Sequence, residues 1–313
     1  MRRGLKPRQG VARLVAGWLA RAAGVLLGAA TLAFAAMHLI PGDPARAIVG
    51  SAPATDQTMA AIRAEMGLDL PLAEQYLRYL GRLARGDLGR SFQIERPVAE
   101  VLGEQVWPTV QLAVCAIGLA LAGALAVAVL TAGRRVRGAV ALAELVALST
   151  PTFWFGLVLL SVFSFQLGLL PVGDGGPASL VLPAVALAVP LGAVLTQVLR
   201  EGLEQALEQP FATTARARGA GEAAVRLRHA LRHALIPMVT LSGWMLGGLF
   251  GGAVLVETVF ARQGLGRVTL AAVVGRDFPV VIAVVMLSAL VFVVVNTAVD
   301  VAYLVIDPRL RST

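Results

Sequence analysis

Apolar positions along this chain gather into long runs instead of alternating every second residue or recurring on one helical face. A helix crosses the hydrocarbon layer of a bilayer in roughly 20 mostly apolar residues. Six segments reach that length, at about 16–38, 109–132, 139–167, 179–199, 235–256 and 279–305. The pattern therefore predicts an all-α membrane protein with six transmembrane helices. The third run holds one acid, Glu144, and is interrupted by Ser149-Thr150-Pro151-Thr152, while the fourth contains Pro183 and Pro190. Proline inside a helix removes a backbone hydrogen bond and crowds the preceding turn. Both spans are expected to bend, which a membrane tolerates where neighbouring helices or a cavity satisfy the freed carbonyls.

Two polar stretches separate these runs. Residues 39–108 open on Pro41-Gly42-Asp43-Pro44, a turn sequence. Met59–Met66 and Leu72–Leu83 then repeat apolar residues at three- and four-residue spacing, the signature of short amphipathic helices. An ordered cap is expected there. The second stretch, Arg200 to Pro237, is helix-compatible and carries six Arg, four Glu and two His. The predicted organisation is a tail over 1–15, a first span over 16–38, a loop over 39–108, a core of five spans over 109–306 that includes the loop 200–234, and a tail over 307–313.

Composition agrees with a membrane location. The 313 residues are 57% hydrophobic and only 15% charged, against about 25% charged in soluble domains, and the mean hydropathy is +0.76. The net charge of +8 is almost all arginine, with Lys6 the only lysine. Arginines clustered at the ends of apolar runs act as topology signals and not as a nucleic-acid footprint. Their distribution predicts both termini, the 133–138 loop and the 200–234 loop in the cytoplasm, with the 39–108 loop outside. The basic start MRRGLKPRQG leads into a charge-free run over 22–40 that is too long for the apolar core of a signal peptide and is followed by no clear cleavage site, so a retained first span is expected. Cys115, the only cysteine, sits in an apolar run and reads as packing material.

Catalytic patterns are missing. The sequence contains no HExxH, no GxSxG and no paired cysteines, and Lys6 lacks the glycine-rich turn of a Walker A loop. These absences argue against an enzyme and offer no cofactor site, and any ATP-driven work would need an ATPase on another polypeptide. His229 and His233 are four apart, but no Cys, Asp or Glu adjoins them, and His38 reads as a boundary residue. Ionisable groups inside a span are costly and face a cavity or a polar partner. Glu144 and Asp300 qualify, with Asn296 one turn before Asp300, although snorkelling to the nearby surface would serve both acids. Glu257 closes the fifth span and is a candidate for an external gate. Gly243, Gly247 and Gly251 recur every fourth residue beside Gly248 and Gly252, a spacing that lets helices approach closely. Gly247, Gly251, Glu257, Asn296 and Asp300 are the candidates for a translocation path or gate.

Several short motifs occur together in a fixed order. They are Pro41-Gly42-Asp43-Pro44; Met66-Gly67-Leu68-Asp69 with Pro71-Leu72 and Gln75-Tyr76; Gly86-Asp87-Leu88-Gly89 with Ser91; and Thr150-Pro151 with Phe153-Trp154. Thr214-Ala215-Arg216-Ala217-Arg218-Gly219, the run Arg228 to Pro237, Val256-Glu257-Thr258-Val259-Phe260, Gly264-Leu265-Gly266 and Asp307-Pro308-Arg309 follow. In this order and spacing, over about residues 30–310, the chain resembles the inner-membrane permease subunits of ATP-binding-cassette importers for peptides and nickel, in particular their "B" type.

The resemblance implies a multi-pass protein of the bacterial inner membrane. Its partners would be a second, homologous permease chain, two ATP-binding ATPase subunits and an external solute-binding protein, with lipid around it and no nucleic acid. It also implies a coupling helix between the fourth and fifth spans that docks on the ATPase, here centred on Phe211, Thr214, Ala215, Arg216, Arg218 and Gly219. The common importer motif has Glu-Ala-Ala six residues before the glycine; Thr213-Thr214-Ala215 stands there, so the acid is replaced by Thr213. In physical terms, Phe211 and Ala212 are suited to an apolar groove, Arg216 and Arg218 to acidic groups, and Gly219 to a sharp turn. Di- or oligopeptides are the favoured substrate, with nickel or another small solute as the alternative. An ion-coupled secondary transporter would show an internal repeat and midplane acids, and neither is evident. An intramembrane enzyme would need a nucleophile or a metal motif.

Overall fold

The computed structural model describes residues 7–39, 45–46, 55–132 and 136–306; the motifs at 41–44 and 307–309 lie outside these. Among the described residues the fold is helical, with a single isolated bridge between Arg90 and Pro97. The main helices are α1 (Pro7–Leu39), α2 (Asp56–Met66), α3 (Leu72–Ala84), α4 (Val98–Thr131), α5 (Arg137–Ser149) and α6 (Thr152–Leu159). They continue with α7 (Val181–Leu207), α8 (Pro210–Ala217), α9 (Leu231–Val259), α10 (Leu265–Val274) and α11 (Phe278–Ile306). Stretches of π-helix extend α6 over Leu160–Gln166 and lead into α9 over Val225–Ala230.

Four helices are long and apolar enough to cross a membrane, within Gly17–Leu39, Val98–Thr131, Pro177–Leu207 and Phe278–Ala298. Two bent pairs pass the same test: Arg137–Ser149 with Thr152–Gln166, turned by 99°, and Pro237–Leu249 with Ala253–Val259, turned by 55°. Counting each pair as one span gives six. The break expected at Thr150-Pro151 is present. Thr150 is extended (φ −84°, ψ 122°) and Pro151 has no N–H to continue the ladder.

The fourth span is unbroken at its prolines. Val181–Leu207 is one continuous helix through Pro190. Pro183 stands in its first turn, where a missing N–H costs nothing. Pro190 follows Ala186, Leu187 and Ala188, all packed into the core, and the helix continues past it despite the lost bond. The short apolar helix Leu265–Val274 was not foreseen, since it is half the length that a span requires.

The chain forms two compact units, one of residues 1–104 and 268–294, the other of 105–267 and 295–313. In the first, α3 packs on α1. Phe34 meets the rings of His38, Tyr76 and Tyr79 at 4.2, 5.2 and 5.6 Å. Tyr76 shares a 2.7 Å hydrogen bond with Thr31, and Gln75 one of 3.2 Å with His38. Burial pushes the Tyr79 phenol up to about 12, so it stays neutral at physiological pH. The Gln75-Tyr76 motif thus ties the stretch after the first span back onto that span. In the same unit Asp277 accepts from the Ser91 hydroxyl and from the backbone N–H groups of Phe92 and Gln93, at 3.1 and 3.3 Å for the latter two.

The second unit has its core between α7 and α9. Leu195, Leu199 and Leu203, four residues apart, are fully buried with Ala230, Ala234 and Met238. Leu112, Ala116, Ala120, Ala124 and Ala128 form a buried seam of mostly small residues along α4, of the kind that lets membrane helices approach closely. A Cβ on Gly192 of α7 would lie 3.6 Å from Ala120 Cα.

Candidate coupling segment and buried carboxylate

The polar stretch after α7 folds into a compact turn-helix-turn. Gln209 is extended and Pro210 occupies the first helical position, where its fixed φ is already helical. The eight residues Pro210–Ala217 end on a Schellman closure. The N–H of Gly219 donates to Arg216 O at 2.9 Å and that of Ala220 to Ala215 O at 3.1 Å. This closure requires a left-handed residue, and Gly219 supplies it with φ +82°. The reversal folds Val225, fully buried, against Ala212 and Ala215, with Ala220 beside them.

Arg216 braces both ends of this turn. Its Nε donates to Glu222 Oε1 at 2.7 Å across the Gly219 bend, and its Nη1 to Leu207 O at 3.3 Å. The Arg216 guanidinium holds the Glu222 carboxyl below the usual range. Phe211 turns inward, packing on the α7–α9 core and on the ring of His233 at 5.0 Å. Arg232 Nε donates to His233 at 3.2 Å.

Two of the residues expected to dock also have partners within this chain. Phe211 and Ala212 fill a groove of this chain itself, because the Gly219 reversal brings apolar side chains of 225–234 under the helix. Arg216 already has an acid partner in Glu222. Pro210, Thr213, Thr214, Arg216 and Ala217 of the helix are exposed, as are Arg218 and Gly219 after it, while Ala212 and Ala215 are buried. Thr214 Oγ1 donates back to Pro210 O at 3.0 Å.

Glu257 lies in the last turn of α9 and is fully buried. It accepts from Thr109 Oγ1 at 2.6 Å and from the N–H groups of Gly266 and Arg267 at 2.8 and 3.3 Å. Thr109 Oγ1 in turn accepts from Leu265 N at 2.8 Å. Leu265, Gly266 and Arg267 open α10, so these bonds satisfy orphan donors of its first turn, where a carboxylate is also favoured by the helix dipole. Gly264 and Gly266 are required by space: a Cβ at either would overlap the Glu257 carboxyl, and at Gly266 also the Val254 backbone. The segment between α9 and α10 is pinned again where Gln263 N donates to Asp174 at 3.2 Å and Gly173 N to Phe260 O at 3.1 Å.

Of the other path candidates, Gly247 is half-buried in α9 and Asn296 half-buried in α11. The side-chain positions of Gly251 and Asp300 lie outside the described ones. The 55° turn of α9 falls between Leu249 and Ala253, around the glycine run.

A family model for the binding-protein-dependent transport system inner membrane component matches residues 108–312, and a model for the N-terminal part of such components matches residues 12–113. The chain belongs to this family. It is a multi-pass inner-membrane permease of the peptide/nickel type of ABC importer. The glutathione transport system permease protein GsiC of Salmonella paratyphi A is 38% identical over 291 residues, 91% of this chain and 94% of that protein. GsiC of Escherichia coli O6:H1 is 38% identical over 285 residues, 90% and 92% of the two chains. The fold is similar to that of the MetNI methionine ABC transporter in an inward-facing form, with TM-score 0.56, 21% identity and coverage of 67% of this chain and 98% of that one. An amino acid ABC transporter solved with histidines gives TM-score 0.52 and 16% identity over 65% and 92% of the chains. Family membership displaces the secondary-transporter and enzyme readings.

Two residues of the permease escaped the sequence reading. Asp277 follows an apolar helix in a short polar break and looks like an ordinary loop acid. Arg200 was placed in the polar loop, yet it is buried and forks onto Glu144. The signal for it was present: the four-residue leucine spacing of 195, 199 and 203 carries the buried stripe past the arginine.

Proposed function

We propose that this permease pairs with a second, homologous permease chain to form the pathway of an ATP-driven peptide importer. Two ATPase subunits work on its cytoplasmic face and an external solute-binding protein delivers the peptide. Glutathione, the solute named for the GsiC relatives, is a tripeptide, and their full-length similarity supports small peptides as the substrate class. In this reading both termini and residues 200–234 are cytoplasmic, residues 39–108 form an ordered external cap, and six spans alternate between outward and inward access. Glu257, with its closed ring of donors, belongs to the external gate, and Gly247, Gly251, Asn296 and Asp300 to the path.

The observation that carries the coupling role is the shape of Pro210–Ala217. It is a short helix lying between two spans, closed by Gly219, braced on both sides by Arg216 and anchored inward by Phe211. A helix held that firmly passes a push from an ATPase to α7 and α9 instead of absorbing it. Thr213, Thr214, Arg216, Ala217 and Arg218 are exposed to meet the ATPase, and the missing acid at Thr213 removes a salt bridge from the interface. Replacing Gly219 by Pro removes the N–H that closes the helix and forbids its φ. Binding-protein-stimulated ATPase activity of the assembled complex is expected to collapse toward the basal rate. Full stimulation in the Gly219→Pro complex would sink the coupling reading.

A further inference from the structure

The last turns of α7, which run directly into the coupling helix, are gripped from two sides. On one side Arg200 forks onto Glu144 of α5, with Nη1–Oε1 and Nη2–Oε2 at 2.6 and 2.8 Å. The side chains are only 9% and 6% exposed, so the pair is shielded from water and salt. One turn further along α7, Glu204 pairs with Arg137 at the start of α5 at 3.2 Å. Two ion pairs therefore join the same faces of α5 and α7. On the other side Gly202 lies against α9 so closely that a Cβ would sit 3.1 Å from both Ala234 Cα and Cβ.

The third span changes character just beyond this grip. α5 ends at Ser149, Thr150 is extended, and the axis turns by 99° before α6 continues. Helical hydrogen bonds stop at this break, so it transmits bending poorly. A two-pronged Arg–carboxylate pair, by contrast, fixes register as well as distance. Apolar helix faces can slide past one another by a fraction of a turn; a fork with both prongs made cannot.

We propose that Glu144 and Arg200 are positioning residues for coupling: they clamp residues 137–149 to the end of α7, so that this half of the third span travels with the coupling segment while the break at Thr150-Pro151 acts as its hinge. This rests on reading Pro210–Ala217 as the coupling helix. The clamp does not touch substrate or ATP. It decides which part of the membrane domain follows when the ATPases close.

The test uses the complete transporter in liposomes, with transport and ATP hydrolysis measured together. A buried ion pair replaced by apolar side chains of similar volume usually keeps the fold. The double variant Glu144→Met/Arg200→Met is therefore expected to assemble and hydrolyse ATP, but to transport at least about fivefold less substrate per ATP, within the range typical of coupling between sites. Wild-type transport per ATP in that variant would overturn the proposal, whereas a merely structural role would lower thermal stability and leave the ratio unchanged. A second arm does not depend on that variant folding well. With Cys115 replaced by Ala, Glu144→Cys and Arg200→Cys are bridged by a short reducible bifunctional thiosulfonate. Transport that persists in the bridged protein supports the clamp. Transport that stops on bridging and returns with reductant shows that the helices must part, and overturns it. Gly219→Pro, run in parallel, reports on the coupling helix itself: unchanged stimulation there refutes that underlying reading whatever the clamp variants do.

Discussion

Glu257 and Glu222 each tie one helix to the turn beside another, in opposite surroundings. Glu257 is fully buried, receives three hydrogen bonds and faces two glycines that leave no spare room. The Glu222 side chain is 55% exposed and shares one arginine. A buried carboxylate stripped of donors keeps its full desolvation cost, so the closure at Glu257 opens as a unit or stays shut. The turn at Glu222 is surrounded by water that replaces any bond it loses. The firmness of that turn therefore rests on the Gly219 closure and the Phe211 anchor more than on this ion pair.

The sharpest way to break this contrast is Gly266→Ala. The added methyl would overlap the Val254 backbone and the Glu257 carboxyl, and overpacking of this kind costs about 1–3 kcal/mol or more. The expected result is a marked loss of folded permease in thermal-unfolding assays in detergent. A tolerated alanine would mean that the closure is looser than its geometry. Glu257→Gln comes next. Its amide group cannot accept all three hydrogen bonds, so one buried polar group goes unmet, at about 1–3 kcal/mol. The melting temperature should fall, and transport should fall with it if Glu257 gates the path.

The smallest effect belongs to Glu222→Gln, and pH separates it from the others. Arg216 depresses the Glu222 pKa in the folded protein. A depressed carboxylate contributes stability above its unfolded pKa, and that contribution disappears as pH falls through the folded value. The difference in melting temperature between wild type and Glu222→Gln should therefore be small and flat from neutral pH down to about 5, and shrink away as pH falls below the ordinary glutamate value of about 4.3 through the depressed folded one. A difference that grows on acidification would show that the pair carries a different sign from the one assigned here.

The contrast also separates what could be read along the chain from what could not. The spans, the short helices near 59–66 and 72–83, the break at Thr150-Pro151 and the turn at Gly219 follow from periods, proline and glycine, all of which act within a few residues. Glu144 was recognised as a buried acid, but its partner Arg200 is 56 positions away. Ser91 and Asp277 are 186 apart. The inward turn of Phe211 is likewise invisible locally, since an exposed and a buried phenylalanine have the same neighbours in sequence.

The sequence by itself determined that this is a multi-pass helical membrane protein, because bilayer thickness converts run length directly into spans and the backbone must satisfy itself within each helix. It also placed a closed polar helix between two of those spans. Tertiary structure decided which carboxylate meets which donor, and which face of that helix is spent inside the chain. Those choices depend on side chains brought together from distant helices, and a buried charge settles wherever packing happens to offer it a partner.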